Sequence, residues 1–74
     1  MIAIDKILDK FVERLQEIMD VKGWTIKQLS DFLCVPRRTV NSWMLKNRVP
    51  RVDYIYHIAD KLEVTIDYLV GREE

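Results

Sequence analysis

Apolar residues recur three and four positions apart along most of this chain, which is the spacing of an amphipathic helix. The first such run extends from about Ile4 to Lys22, and its apolar positions are Ile4, Leu8, Phe11, Leu15 and Ile18. Charged residues cover the other faces, where three pairs are spaced to interact: Lys6–Asp9, Lys10–Glu13 and Arg14–Glu17. Gly23 follows the run, and glycine commonly ends helices because it adopts positive φ without strain. The pattern therefore predicts a long first helix that ends at Gly23.

Residues 25–43 predict two short amphipathic helices that meet at a tight turn. Thr25 and Gln28 have the spacing of a capping box at the start of the first of these helices. Its apolar positions are Ile26, Leu29, Phe32 and Leu33. Pro36 opens the next helix, where a missing amide hydrogen costs nothing. There Val40 and Trp43 are spaced to point inward, and four polar residues are spaced to point outward: Arg37, Arg38, Asn41 and Ser42.

Two more helices are predicted after a polar, basic loop at 46–50. One runs from about Val52 to Leu62, with Ile55, Ile58, Ala59 and Leu62 on one face. Thr65 can cap a last short helix that contains Ile66, Leu69 and Val70 and that Gly71 terminates. No alternating strand pattern competes with these helices. The predicted fold class is all-α, with five helices in a single domain over residues 1–74 and a helix-turn-helix unit at about 25–45.

The charge distribution changes this picture more than the net charge, which is zero. Five cations fall between Phe32 and Val52 with no Asp or Glu among them: Arg37, Arg38, Lys46, Arg48 and Arg51. The acids lie mainly on either side of this stretch. A surface polarised in this way attracts a polyanion locally although the protein is neutral overall. We therefore favour contact with DNA over a merely solvated charged face.

The remaining composition favours a cytoplasmic protein that needs no cofactor. The N-terminus has charges every few residues, unlike a secretory signal, and no uncharged run is long enough to span a membrane. The single Cys, Cys34, excludes an internal disulfide and offers no metal cluster. No catalytic Ser/His/Asp set or phosphate-binding glycine loop is present, so we do not expect an enzyme. His57 has no ligand partner at suitable spacing, and we expect it at the surface or at the core boundary.

Three tyrosines, Tyr54, Tyr56 and Tyr68, could stack on the bases of single-stranded nucleic acid. They are scattered over helix faces, so we favour packing or dimer contact for them. A redox-sensing thiol at Cys34 is a further alternative, which would require an exposed, reactive side chain.

The order of several short motifs resembles the Cro/C1-type helix-turn-helix domain, the XRE class of bacterial and phage regulators. These motifs are W-T-x-x-x-L-S-x-x-L-x-V, T-V-x-x-W, V-P, I-A-x-x-L-x-V and D-Y-L-V-G. The resemblance covers about Phe11 to Gly71, nearly the whole chain. The closing half of the chain, including the terminal aromatic-Leu-x-Gly, is especially similar to the DNA-binding domains of phage lysogeny repressors. The resemblance implies a compact five-helix, lambda-repressor-like fold, with a buried framework at Leu29, Ser30, Leu33, Val35, Val40 and Trp43.

The same resemblance implies roles for the polar residues. The base-facing positions of the recognition helix match Arg37, Arg38, Asn41 and Ser42, which are residue types that read base edges. Phosphate contacts are expected from Thr25, Lys27, Thr39, Lys46, Arg48 and Arg51. Two positions depart from the family pattern: Ile26 replaces a residue that is often polar, and Cys34 replaces the usual turn glycine. We expect a positive φ at Cys34.

The sequence thus predicts a regulator of transcription that binds specific double-stranded DNA, most simply a repressor of phage or mobile-element type. Two alternatives stay open: an antitoxin that also represses its own operon, and a protein-interaction module on the same fold. A homodimer on DNA is expected, because one recognition helix reads only a few base pairs. We favour pairing through the last helix, at Ile66, Tyr68 and Val70, over the start of the first helix at Ile2, Ile4 and Ile7. No small-molecule ligand is predicted, and residues 1–74 could be the whole protein or the first domain of a longer repressor.

Overall fold

The computed structural model describes the backbone of residues 4–72 and the side chains of residues 6–72. It contains five helices: α1 (Ile4–Lys22), α2 (Ile26–Leu33), α3 (Arg37–Met44), α4 (Val52–Leu62) and α5 (Ile66–Leu69). No strand is present among these residues. The predicted all-α class, the number of helices and their order are confirmed.

Local signals in the sequence set the helix ends. Gly23 has φ +69° and ends α1, while the Trp24 amide donates to the Met19 carbonyl at 2.9 Å. The Thr25 hydroxyl accepts the Gln28 amide at 3.2 Å, and the Gln28 side chain accepts the Thr25 amide at 2.8 Å, which completes the capping box. Thr65 caps α5 by accepting the Tyr68 amide at 3.0 Å. The helices α2 and α5 therefore begin where a threonine satisfies an otherwise unpaired backbone amide, whereas Pro36 before α3 makes no such side-chain bond.

All five helices contribute to one core centred on Trp43. The indole packs edge-on against Phe11 at 5.7 Å and against Tyr54 at 5.3 Å between ring centroids. The other buried members are Leu15, Met19, Leu29, Leu33, Val35, Val40, Ile58, Ala59 and Leu69. Burial of Trp43 fixes the orientation of α3, because its opposite face is then directed away from the core.

Some predicted core positions lie elsewhere. Phe32 is 39% exposed, because Leu29, Ser30 and Leu33 already occupy the side of α2 that faces the core. Its ring instead lies 5.0 Å from that of Trp24 on the surface. In α1, Met19 is buried and Ile18 is only half-buried, since Phe11, Leu15 and Met19 follow one another at intervals of four. In α5 only Leu69 is buried.

Candidate nucleic-acid interface

The turn between α2 and α3 consists of Cys34, Val35 and Pro36. Cys34 adopts the predicted left-handed conformation, with φ 59° and ψ 38°. Its amide donates to the Asp31 carbonyl at 3.3 Å, and the Val35 amide donates to the Ser30 carbonyl at 3.1 Å. These bonds satisfy carbonyls at the end of α2, and the buried Val35 side chain anchors the turn in the core. The chain can therefore turn within three residues while the Ser30 and Asp31 carbonyls stay hydrogen-bonded.

Ser30 is the small polar residue on the core-facing side of α2. It is buried, and its hydroxyl donates to the Ile26 carbonyl at 2.7 Å within α2. A small side chain whose hydrogen bond is local takes little space between packed helices. This agrees with the framework position that the resemblance implied for Ser30.

The two faces of α3 differ sharply in exposure. Val40 and Trp43 are buried, whereas Arg37, Arg38 and Asn41 are exposed. The other two polar positions, Thr39 and Ser42, are half-buried. The outward polar face predicted for α3 is therefore present, with Ser42 at its edge.

The start of α2 and the exposed face of α3 meet at a shallow groove of about 480 Å³. Its lining residues are Thr25, Ile26, Lys27, Arg37, Arg38 and Asn41. The fold thus brings three of the four predicted base-reading residues together with Thr25 and Lys27. Thr39, Ser42, Lys46, Arg48 and Arg51 are not among the residues that line this groove.

Three of the predicted phosphate-binding cations carry a carboxylate partner. Lys27 Nζ lies 3.1 Å from Asp31, Lys46 Nζ lies 2.9 Å from Asp9, and Arg51 Nη2 lies 2.6 Å from Asp53. The Arg51–Asp53 pair is bidentate, since Arg51 Nε also donates to the second carboxylate oxygen at 3.1 Å. This hydrogen bonding lowers the pKa of Asp53 and raises that of Arg51.

These ion pairs were not predicted from the sequence. Lys27 and Asp31 lie four apart in a helix, so the helical spacing rule could have found them. Asp9 was expected to pair with Lys6 within α1; instead it pairs with Lys46, which only the tertiary fold brings near. Lys46 itself has φ +60° and lies in the turn that ends α3, where the Asn47 amide donates to the Ser42 carbonyl at 2.9 Å.

The remaining cations of the predicted interface form no ion pair within the described part of the chain. Arg37, Arg38 and Arg48 are exposed and have no carboxylate partner among the described side chains. The cations of the acid-free stretch are therefore not equally available to DNA, because some of them are already paired with a carboxylate in the folded protein.

His57 connects α4 to the end of α2. It is half-buried, as predicted for a boundary position, and its Nε2 lies 2.6 Å from the Leu33 carbonyl oxygen. Because a carbonyl can only accept, His57 is the donor. This bond satisfies another carbonyl next to the turn. Cys34 is exposed beside it.

The predicted dimer residues do not share one surface. Ile66 is 42% exposed and lines a groove with Tyr56 and Val64. Tyr68 faces α1, where the Arg14 guanidinium lies 4.5 Å from its ring centroid and its hydroxyl donates to Glu17 at 3.4 Å. The half-buried residue after α5, Val70, lines a third groove beside Ile7 and Lys10. Of the alternative surface at the start of α1, Ile2 and the Ile4 side chain lie outside the described residues.

The described residues contain neither a metal-binding cluster nor a membrane-spanning helix. Within residues 4–72, no group of three or more His, Cys, Asp or Glu side chains is placed to hold a metal ion. No helix in this range is long and apolar enough to cross a membrane.

Two short helices joined by a left-handed turn, the second exposing Arg and Asn, define a helix-turn-helix domain of the class found in DNA-binding transcription regulators. Residues 10–74 match the bacteriophage CI repressor helix-turn-helix domain, and the chain belongs to that family. It is also 29% identical over 63 residues to the HTH-type transcriptional regulator AnsR of Bacillus subtilis strain 168. That match covers 85% of this chain and 54% of AnsR, so the chain spans about half the length of this curated relative. No solved structure matches the chain.

Proposed function

We propose that residues 1–74 form a single domain that binds specific double-stranded DNA and represses transcription by occupying an operator. The observation that carries this proposal is the groove in which exposed Arg37, Arg38 and Asn41 lie beside the start of α2. Membership of the CI repressor family supports it, as does the likeness to a transcriptional regulator. We further propose an origin in a phage or mobile element, and activity in the cytoplasm without a cofactor.

In the proposed complex α3 lies in the major groove and reads the base edges. Arginine can donate two hydrogen bonds to O6 and N7 of guanine, and asparagine can pair with N6 and N7 of adenine. Arg38 and Asn41 lie three positions apart on one exposed face of α3, so both can approach neighbouring base pairs. Arg37 flanks them, and Ser42, at the edge of the face, is left with a minor part in base reading.

The proposed phosphate contacts surround this helix. Thr25 and Lys27 would contact one strand where α2 begins, and Thr39, Lys46, Arg48 and Arg51 would contact the backbone beside and after α3. The capping box uses the amides of Thr25 and Gln28, so the amides of Ile26 and Lys27 would contact phosphate in place of a polar side chain at Ile26. Cations of this kind supply affinity without sequence preference.

The proposal is tested by selecting bound sequences from a random duplex library and comparing two single substitutions on the selected site. Arg38→Ala should cost about 1–3 kcal/mol of binding free energy and relax the preference at one base pair, because a base contact is lost. Arg48→Ala should weaken binding to all sequences alike and reduce the slope of log affinity against log salt by about 1. Both affinities and both sequence profiles are measured at the same ionic strength.

The two substitutions remove the same side chain, so each is the control for the other. Identical specificity profiles for Arg38→Ala and Arg48→Ala would contradict the placement of α3 in the major groove. Failure to enrich any duplex would contradict DNA binding itself.

A further inference from the structure

The cations of the proposed interface fall into two groups according to their partners. Arg37 and Arg38, proposed to read bases, have no carboxylate partner among the described side chains. Three of the four cations proposed to grip phosphate are paired in the protein alone: Lys27 with Asp31, Lys46 with Asp9 and Arg51 with Asp53. Only Arg48 in the gripping group lacks such a partner among the described residues.

From this division we infer that Asp9, Asp31 and Asp53 compete with the DNA backbone for the gripping cations and so lower the affinity for duplex DNA of any sequence. We call these three residues the competing carboxylates. The inference rests on the proposed function, and it adds a role for acidic residues that no motif of the sequence indicates.

The geometry of each pair makes the competition direct. A phosphate oxygen and a carboxylate oxygen accept hydrogen bonds from the same ammonium or guanidinium hydrogens, at the same short distances. The Arg51 pair is bidentate, so Asp53 occupies the two-pronged edge with which arginine would bind a phosphate. Asp53 also accepts the Tyr54 amide at 3.0 Å, which holds the carboxylate in place at the start of α4. A DNA phosphate can therefore form a bidentate contact with this edge of Arg51 only after the Asp53 carboxylate is displaced.

The Lys46–Asp9 pair joins two elements that are distant in the sequence. Asp9 belongs to α1, and Lys46 follows α3, at a distance of 2.9 Å between Nζ and the carboxylate oxygen. Both side chains are about half exposed, so a phosphate can reach Lys46 from solvent. α1 thereby places a negative charge beside a cation that the amino-acid order alone leaves unopposed.

The size of the effect follows from the strength of exposed ion pairs. Such pairs are weak and shift an equilibrium by roughly 1.4- to 5-fold each. Three pairs acting together would then lower the affinity for any duplex by about tenfold. The base-reading arginines are outside this competition, so the ratio of affinities for selected and random duplexes should not change. The competing carboxylates thus weaken attraction to random DNA while the preference for one site is retained.

Salt dependence gives a second, independent consequence. When a carboxylate is displaced by a phosphate it becomes free to attract a counterion, which partly cancels the counterions that DNA releases. Removing the carboxylates should therefore steepen the salt dependence of binding, by up to about 0.9 in log–log slope for each pair. The difference between variant and parent should also shrink as salt screens the pairs.

The test compares two triple variants of equal net charge. One is Asp9→Asn/Asp31→Asn/Asp53→Asn, and the control is Asp60→Asn/Glu63→Gln/Asp67→Asn, whose three carboxylates have no cationic partner among the described side chains. Affinities for random duplex DNA and for the selected duplex are measured from about 50 mM salt upward. We expect the first variant to bind both duplexes about tenfold more tightly than the control at low salt, with a steeper salt slope and an unchanged ratio between the duplexes.

A gain in affinity cannot arise from partial unfolding, so the expected result distinguishes competition from a structural role. Asp9→Glu, which retains the charge, should bind like the parent protein. Equal affinities and slopes for the two triple variants would overturn the inference, since net charge alone would then explain any gain. If the parent protein binds no duplex even at the lowest salt, the proposed function fails instead.

Discussion

At the scale of single residues, Cys34 combines a strained backbone conformation with a side chain that does not pack in the core. Its φ of 59° lies in the left-handed region, where a Cβ costs roughly 1–2 kcal/mol. The thiol is exposed, so this cost is not balanced by filling space in the core. The turn is instead held by its backbone hydrogen bonds and by the buried Val35 beside it.

Replacing Cys34 with Gly should leave the free energy of unfolding unchanged or raise it by up to about 1 kcal/mol, with DNA binding intact. Relief of strain favours the variant, and the extra freedom of glycine in the unfolded chain offsets part of the gain. Urea unfolding measures the stability. Cys34→Ser, which retains the Cβ, should match the parent protein. A loss of several kcal/mol in Cys34→Gly would show that the side chain contributes to packing.

At the scale of elements, the stability of α2 depends on the capping box at its N-terminus and on the burial of its apolar side chains. An isolated helix of eight residues is unstable in water, so the capping box and the burial of Leu29 and Leu33 must stabilise it together. The Thr25 hydroxyl accepts the Gln28 amide, which leaves its own hydrogen free to donate to a phosphate. The residue that begins α2 can therefore also serve the proposed interface.

Thr25→Ala should lower the free energy of unfolding by about 1 kcal/mol, through loss of the cap, and should weaken DNA binding as well. Thr65→Ala is the matched control, because Thr65 makes the same capping bond at 3.0 Å in α5. It should lose comparable stability without loss of affinity, when both variants are measured at a temperature where they are folded. Equal losses of affinity in the two variants would mean that Thr25 acts on DNA only through stability.

At the scale of the whole molecule, the described residues measure 35 × 24 × 21 Å. One turn of DNA spans roughly 34–36 Å, so two copies can lie side by side on one face of the duplex. We propose such a pair and retain the last helix as its contact, with Ile66 as the most accessible of the three residues first considered. Beside Ile66, the 66% exposed Tyr56 of α4 extends the same apolar surface.

Footprinting should show two copies on the selected operator, with half-sites about one helical turn apart. Ile66→Lys should reduce occupancy of the full operator and leave the affinity for an isolated half-site unchanged, because a charge would be buried only in the pair. Val21→Lys is the control, since Val21 is 86% exposed on α1 and does not line the groove that contains Ile66 and Tyr56. A single half-site occupied by one chain at full affinity would contradict the pairing.

The five helices and their ends were predictable because their causes are local. The capping residues Thr25 and Thr65 lie beside the amides that they satisfy, and Gly23 ends α1 through its own φ. The outward face of α3 was also predictable. Val40 and Trp43 lie three positions apart, so they share one face of the helix, and the arginines lie on the other face. The left-handed Cys34 was expected only from the resemblance, since no local pattern requires it.

The tertiary structure decided what depends on contacts between elements. Phe32 has the spacing of a core residue, yet the neighbouring helices leave it at the surface beside Trp24. Ile66, Tyr68 and Val70 lie two positions apart, so they cannot share one face of a helix; packing then sets which groove each of them lines. Likewise Lys46 lies in a stretch free of acids, but the packing of α1 brings Asp9 to it. The sequence by itself determined which residues are charged, because charge is a property of each side chain. Only the tertiary structure decided which of these charges are available to DNA, because that depends on the distance from each cation to the nearest carboxylate.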